Sequence, residues 1–174
     1  MDSVSLANDE AALIVAITAA PFDDAPRLVY ADWLQERGEE AKSDYLRTVV
    51  RLMHPPEDRR DVDHCIAVAE GLDEEWRHQV GGRFEVMLEG AAPLLLVVHV
   101  VRAIWNIAVQ EAVDFRSAGR PVRLKSAITR EDAEQLINSF GTNLLHEGEN
   151  HPPLKLAVRL MKDEGGLGLL APRA

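Results

Sequence analysis

The hydrophobic pattern of this chain changes its period at Gly81-Gly82, and this change constrains the fold more than any other feature. Before the glycine pair, apolar residues recur at helical spacing, as at Tyr45, Leu46 and Val49. After it, residues 84–88 alternate between apolar and other side chains, which is typical of a β-strand. The sequence therefore predicts an α+β protein with three segments, which are an all-helical N-terminal domain over residues 1–80, a second domain over 83–162 and a loose tail over 163–174.

The first segment contains four predicted helices, over residues 9–20, 26–38, 40–53 and 61–79. Pro21 ends the first helix, and Pro26 suits the first turn of the second. Gly38 ends the second helix, and the prolines at 55 and 56 follow the third.

The second segment is predicted to have the element order β-α-α-β-α-β, a small sandwich of a three-stranded sheet and three helices. Its strands are predicted over residues 84–88, 120–124 and 154–160. Its helices are predicted over residues 94–105 and 108–118 and from about 130 to 141. Thr129 is the predicted N-cap of the last helix, with Glu131 and Asp132 as first-turn acids.

The formal net charge of −10 belongs entirely to the first segment. Residues 1–82 contain 8 Lys/Arg and 18 Asp/Glu, whereas residues 83–174 contain 11 of each. This distribution argues against nucleic acid and anionic membranes as partners, since no basic stripe offsets the phosphate charge. We see no signal peptide and no membrane-spanning run, and the single Cys65 forms no internal disulfide, so we expect a cytoplasmic protein.

Nothing in the sequence predicts an enzyme, a cofactor or a metal site. No nucleophile elbow, P-loop or H-E-x-x-H motif is present. The pair His64-Cys65 and a polar loop with potential ligands lack the paired spacing of zinc sites, so we expect a solvated loop. The loop residues in question are His146, Glu147, Glu149 and His151.

Tyr30, Asp32 and Trp33 lie within one predicted helical turn and allow two interpretations. They could form an aromatic recognition site. Aromatic residues three apart on a helix more often face a core, in which case Asp32 would cap the helix or pair with Arg27.

Residues 23–38 read DDAPRLVYADWLQERG, and this string resembles the hallmark of the bacterial repeat-companion domain. The resemblance extends over about residues 8–80. It implies an all-helical accessory module without established chemistry.

Residues 83–162 resemble the C-terminal domain of the bacterial ribosomal stalk protein. The opening strand over 84–88, the stretch VVHVVR at 97–102, QEAVD at 110–114 and TREDAE at 129–134 follow the order of that family's elements. The family's domain is not an enzyme and recruits translational GTPases through a lysine-rich surface on its helical pair. Carried over by position, the resemblance implies a partner-binding surface formed by Leu94, Leu95, Val98, His99, Arg102, Gln110 and Val113.

This sequence departs from the family where the surface needs its charge. The family has lysine at the positions of Leu94, His99, Gln110 and Val113, and Arg102 alone keeps a cation. We therefore predict a non-catalytic protein–protein interaction module with an altered, unidentified partner, and homo-oligomer formation remains open. Two alternatives are a translation accessory protein that binds ribosomes or elongation-factor GTPases and, by fold analogy alone, a ClpS-like adaptor.

Overall fold

A computed structural model describes residues 3–89, 94–106, 108–110, 113, 122–144 and 155–161. The predicted α+β class is confirmed, since a helical region is followed by a three-stranded antiparallel sheet. The elements are α1 Ser3–Ala19, α2 Ala25–Gln35, α3 Glu40–Leu52, α4 Arg59–Ala69, α5 Glu74–Gly81, β1 Phe84–Glu89, α6 Leu94–Trp105, β2 Val122–Ile128, α7 Arg130–Leu144 and β3 Lys155–Leu160.

The single helix predicted over residues 61–79 is wrong, because the structure has two helices there, α4 and α5. Asp58 begins α4 by accepting a 2.9 Å hydrogen bond from the backbone N–H of Arg60. Asp73 begins α5 in the same way, with a 2.8 Å bond from the N–H of Trp76. An aspartate that bonds to the backbone ahead of it favours a helix start over a helix interior, so α4 cannot continue through Asp73.

The sheet has the strand order β2-β1-β3, with β1 antiparallel to both neighbours. The pairing of β1 with β3 is regular from Phe84↔Leu160 to Glu89↔Lys155. The pairing with β2 contains register shifts. The strand predicted over 120–124 corresponds to β2, which continues to Ile128, and residues 120 and 121 lie outside the described residues.

Part of the predicted helix over 108–118 lies outside the described residues, although residues 109, 110 and 113 are helical. The polar loop over 146–153 and the tail over 163–174 also lie outside the described residues. Thr129 caps α7 as predicted, since its hydroxyl accepts a 3.3 Å bond from the N–H of Asp132.

The sheet contributes to two hydrophobic cores. Phe84 is fully buried in the core formed by α1 to α5, and Val158 and Leu160 of β3 pack against that core. The second core joins β1 and β2 to α6 and α7 through residues such as Val86 and Leu124. The helical region therefore packs directly on one end of the sheet.

The Tyr30 cluster is part of the first core. Tyr30 is fully buried, and Trp33 packs against the same core. The Tyr30 hydroxyl donates a 2.6 Å hydrogen bond to Glu10 and accepts a 2.9 Å bond from the indole of Trp76. These bonds satisfy a buried hydroxyl inside the protein, as expected of a core tyrosine.

The predicted pairing of Asp32 with Arg27 is wrong. Asp32 accepts a 2.5 Å hydrogen bond from Arg47. Arg27 is fully buried and donates to the backbone carbonyls of Val80 at 2.9 Å and Pro21 at 3.0 Å. Burial and the neighbouring Arg83 lower the pKa of Arg27 to about 10. Its guanidinium therefore ties α2 to the end of α5 through carbonyl acceptors.

We expect both tyrosines of the chain to ionise only when the protein unfolds. Burial raises the pKa of Tyr30, helped by Glu10, and burial and the charge of Glu131 raise that of Tyr45. Unfolded tyrosines lose their protons near pH 10, so the free energy of unfolding falls above that pH by up to about 1.4 kcal/mol per tyrosine and pH unit. An alkaline titration should show phenolate absorbance rising together with the loss of helical circular dichroism. Ionisation of either phenol near pH 10 with the helical signal intact would contradict the burial described above.

Candidate functional site

The predicted partner-binding residues separate into buried and exposed groups on α6. Val98 is 8% exposed and belongs to the second core, together with Val97 and Val101. Val98 therefore packs the helix onto the sheet and does not contribute to an open patch, contrary to the prediction. The reason is the helical period, which turns Val97, Val98 and Val101 toward the sheet.

His99 and Arg102 are exposed and lie three residues apart, so they share one side of α6. Gln110 is also exposed, and Val113 is half-buried against the second core. Leu94 and Leu95 belong to the first turn of α6, and their side chains lie outside the described residues. Val109, which the sequence reasoning missed, is 50% exposed. We call the exposed residues His99 and Arg102 the α6 face; Val109 and Gln110 follow α6 in the chain.

The end of α6 is fixed to the sheet. The indole N–H of Trp105 donates a 2.7 Å hydrogen bond to the carbonyl of Leu124 in β2. Asn106 follows with φ of 52°, and its N–H bonds to the carbonyl of Arg102 at 2.8 Å. Asparagine tolerates this left-handed conformation, so it ends α6 and turns the chain toward residues 109 and 110. The α6 face therefore lies on a backbone that is held at its turn.

A second polar arrangement is buried between α7 and the helical region. Glu131 is 2% exposed, although the sequence indicated only a first-turn acid. Its Oε1 accepts hydrogen bonds from the Tyr45 hydroxyl at 2.9 Å and from Arg77 at 2.5 Å, and its Oε2 lies 3.7 Å from the sulfur of Cys65. We call these four residues the Glu131 cluster. No sequence signal identified it, because its members come from four separate helices.

The Glu131 cluster has the residue types of a nucleophilic site but the wrong protonation chemistry. Burial raises the pKa of Cys65, and the adjacent charge of Glu131 raises it further. The Tyr45 phenol is held protonated by the same two causes. A cysteine attacks as a thiolate, and a thiol next to a carboxylate in a buried site stays protonated. Cys65 and Tyr45 therefore act as hydrogen-bond donors to Glu131, and the arrangement is a structural tie.

Arg77 supplies the positive charge of the Glu131 cluster. Burial lowers the pKa of its guanidinium, but the hydrogen bond and charge of Glu131 outweigh burial and raise the pKa overall. The Arg77 side chain is 13% exposed, so the pair is shielded from water. Such a pair is costly to break from one side, because the remaining charge is left buried and unpaired.

The glycine pair allows the close approach that the Glu131 cluster needs. A Cβ atom on Gly81 would lie 2.6 Å from the Tyr45 hydroxyl. A Cβ atom on Gly82 would lie 2.8 Å from the carbonyl oxygen of His78. Gly81 and Gly82, where the hydrophobic pattern changes its period, thus lie where α5 meets α3 and the sheet.

Further ion pairs surround the Glu131 cluster on α7. Arg130 pairs with Glu57 at 3.1 Å and with Glu134 at 2.8 Å, and Glu134 also pairs with Arg59 at 3.2 Å. The more exposed His78 lies 2.7 Å from Asp132. Acids and bases of α7 therefore match partners from α4, α5 and the α3–α4 connection.

Within the described part of the chain, no group of three or more His, Cys, Asp or Glu side chains could hold a metal ion. His64 pairs with Asp44 at 2.7 Å, away from buried Cys65. The loop candidates His146, Glu147, Glu149 and His151 lie outside the described residues. Among the described residues, no helix is long and apolar enough to cross a membrane.

Replacing Glu131 with Gln should lower the free energy of unfolding by about 3 kcal/mol, because the variant leaves the charge of Arg77 without its partner in a shielded site. Urea denaturation measures this change. Asp132→Asn is the matched control, since it removes the neighbouring and more exposed carboxylate and should cost about 1 kcal/mol or less. Equal losses for the two variants would contradict a buried tie at Glu131.

We compared the chain with protein-family models, with curated proteins and with solved structures, and found no match in any of the three.

Proposed function

We propose that the protein is a non-catalytic protein–protein interaction module that binds its partner through the α6 face. The observation that carries this proposal is the arrangement of α6. Its inner side is locked into the second core by Val98 and Val101, while His99 and Arg102 are exposed on the other side.

A surface on a fixed helix loses little conformational freedom when a partner binds. The hydrogen bond from Trp105 to Leu124 and the core packing of Val98 hold the helix before binding. Preorganisation of this kind increases affinity by reducing the entropy cost of association. The α6 face is therefore suited to recognition of a preformed protein surface.

The α6 face and the exposed residues that follow α6 in the chain favour a partner with mixed character. Arg102 offers a cationic group, which steers an acidic surface toward it and sets partner choice. Val109 offers exposed apolar area next to the polar Gln110. Protein–protein interfaces usually combine apolar area with polar and charged groups of this kind.

The Glu131 cluster supports the non-catalytic part of the proposal. Among the described residues, this cluster brings together a thiol, a phenol and a carboxylate, as a nucleophilic site would. Its thiol and phenol are nevertheless held protonated. Its role in joining the two regions accounts for these residue types without a reaction.

A translation accessory role is the second candidate, favoured by one observation. Arg102, the one cation that remains from the stalk-protein pattern, is exposed on the α6 face. On this proposal the partner is the ribosome or a translational GTPase.

Replacing Arg102 with Glu should weaken partner capture about tenfold, since reversal of an interface charge costs on the order of 1.4 kcal/mol or more. The measurement is quantitative mass spectrometry of proteins retained by the immobilised chain. Arg60→Glu, a charge reversal at an exposed arginine of α4, is the matched control and should retain the partner. The thermal stability of both variants must equal that of the wild type, so that loss of folding is excluded.

The same pair of variants separates the two candidates. Cosedimentation with ribosomes, or binding to a purified elongation factor, that is lost in Arg102→Glu would support the translation role. Retention of the same proteins by wild type and Arg102→Glu would contradict the α6 face as the binding surface.

A further inference from the structure

The sheet has a second face, turned away from the two helices of the second core. Val86, Leu88 and Leu124 point into that core, so the alternate residues of each strand lie on the opposite side. We call this side the outer sheet face. It consists of Glu85, Met87 and Glu89 on β1, Arg123, Lys125 and Ala127 on β2, and Lys155, Ala157 and Arg159 on β3. Glu85 and Met87 are buried along the central strand, so the accessible part of this face is formed by the edge residues, among them Lys125, Lys155 and Arg159.

The outer sheet face is cationic at its two edges and acidic along its central strand. Arg123 pairs with Glu85 at 2.6 Å, and Lys155 pairs with Glu89 at 3.3 Å. Arg159 also pairs with Glu89, and these hydrogen bonds lower the pKa of that carboxyl. The central acids thus pair with Arg123, Lys155 and Arg159. With four cations and two carboxylates, the face carries a net charge of about +2.

This positive charge stands out against the rest of the chain. The whole protein carries −10, so everything outside the outer sheet face sums to −12. Lys125 and Lys155 are exposed, and the Lys155 side chain is 73% exposed. A cationic face on an acidic protein is complementary in charge to the protein's own acidic region, and nucleic acid would meet repulsion from the remaining surface.

The acidic region also contains a concave surface of matching charge. A shallow and open depression of about 620 Å³ beside α5, which we call the α5 groove, is lined by Asp73, Glu74, Glu75, His78 and Gln79. Glu74 and Glu75 are exposed, and the residues around the groove belong to the half that carries the net charge of −10.

We propose that the outer sheet face binds the acidic helical region of a second copy of this chain, with the edge lysines directed at the α5 groove. The two surfaces occupy different parts of one molecule, so the contact is head-to-tail. In a head-to-tail pair, one copy keeps an unused groove and the other keeps an unused outer sheet face. Further copies can therefore add at both ends.

The affinity of such a contact should be highest at an intermediate salt concentration. At about 0.1 M salt the Debye length is about 10 Å, which screens the repulsion between two distant net charges of −10 more than it screens pairs in contact. At about 1 M the Debye length falls to about 3 Å, and the contact pairs are screened as well. Association should therefore be present at the lower of these concentrations and absent at the higher.

Sedimentation velocity tests the proposal with two neutralised variants of the full chain. Lys125→Gln/Lys155→Gln removes charge from the outer sheet face, and Glu74→Gln/Glu75→Gln removes it from the groove. Wild type should show a weight-average mass that rises above 19.3 kDa with protein concentration at about 0.1 M salt. Each variant alone should remain monomeric. An equimolar mixture should form a 1:1 dimer and nothing larger, because each variant keeps one of the two surfaces.

Glu36→Gln/Glu70→Gln is the matched control, since it neutralises two exposed acids outside the groove and should associate like wild type. A monomeric wild type, association of either neutralised variant alone, or a mixture without a dimer would each overturn the proposal. If wild type is monomeric and a labelled oligoglutamate peptide binds it but not Lys125→Gln/Lys155→Gln, the occupant is a different acidic protein. Arg102 is intact in all these chains, so partner capture through the α6 face is tested independently.

Discussion

The hydrogen-bonded carboxylate of Glu131 is the interaction on which the rest of the structure depends. It lies at the start of α7, and its three donors come from α3, α4 and α5. A buried carboxylate is costly unless it is paired and hydrogen-bonded, and here Arg77 supplies the charge while Tyr45 and Cys65 supply further donors. The orientation of α7 against the helical region is therefore set by a group that tolerates few other geometries. Since α7 also packs on β1, the same contact fixes the sheet relative to α1–α5.

Gly81, Gly82 and Arg27 shape the end of α5 so that Tyr45 can reach Glu131. Gly81 leaves room for the Tyr45 hydroxyl that reaches Glu131, and Arg27 binds the carbonyl of Val80, one residue earlier. The end of α5 is thus held from one side by a guanidinium and approached from the other by a phenol. A side chain at position 81 would push Tyr45 away from the carboxylate, which connects the backbone at the helix–sheet junction to the electrostatics of the interior.

Local patterns predicted most elements of this fold, because periodicity, proline and capping residues act over a few neighbouring positions. The bounds of α6 were predicted correctly, as was the cap at Thr129. The break between α4 and α5 was missed because the apolar residues continue through Leu72 to Trp76 and conceal the cap at Asp73. The partners of Arg27 and Glu131 were beyond prediction, since they are 53 and 86 residues away in the sequence, at Val80 and Tyr45. For the α6 face, the apolar pattern predicted the helix and the resemblance implied its surface residues, but only the packing separated buried Val98 from exposed His99 and Arg102.

The distribution of charge suggests how one small chain can combine a fixed interior with surfaces for binding. Inside, Arg77 pairs with Glu131 and Arg130 pairs with Glu134. These ion pairs, where α7 packs on the helical region, stabilise the fold and are shielded from solvent. Outside, the helical region carries exposed acids such as Glu74 and Glu75, and the exposed lysines of β2 and β3 lie on the sheet. Because the two regions are locked by the interior pairs, the outer charges are held at fixed separations and orientations. Fixed separation turns a difference in charge into geometric specificity, since a partner must match both regions at once to gain their combined attraction.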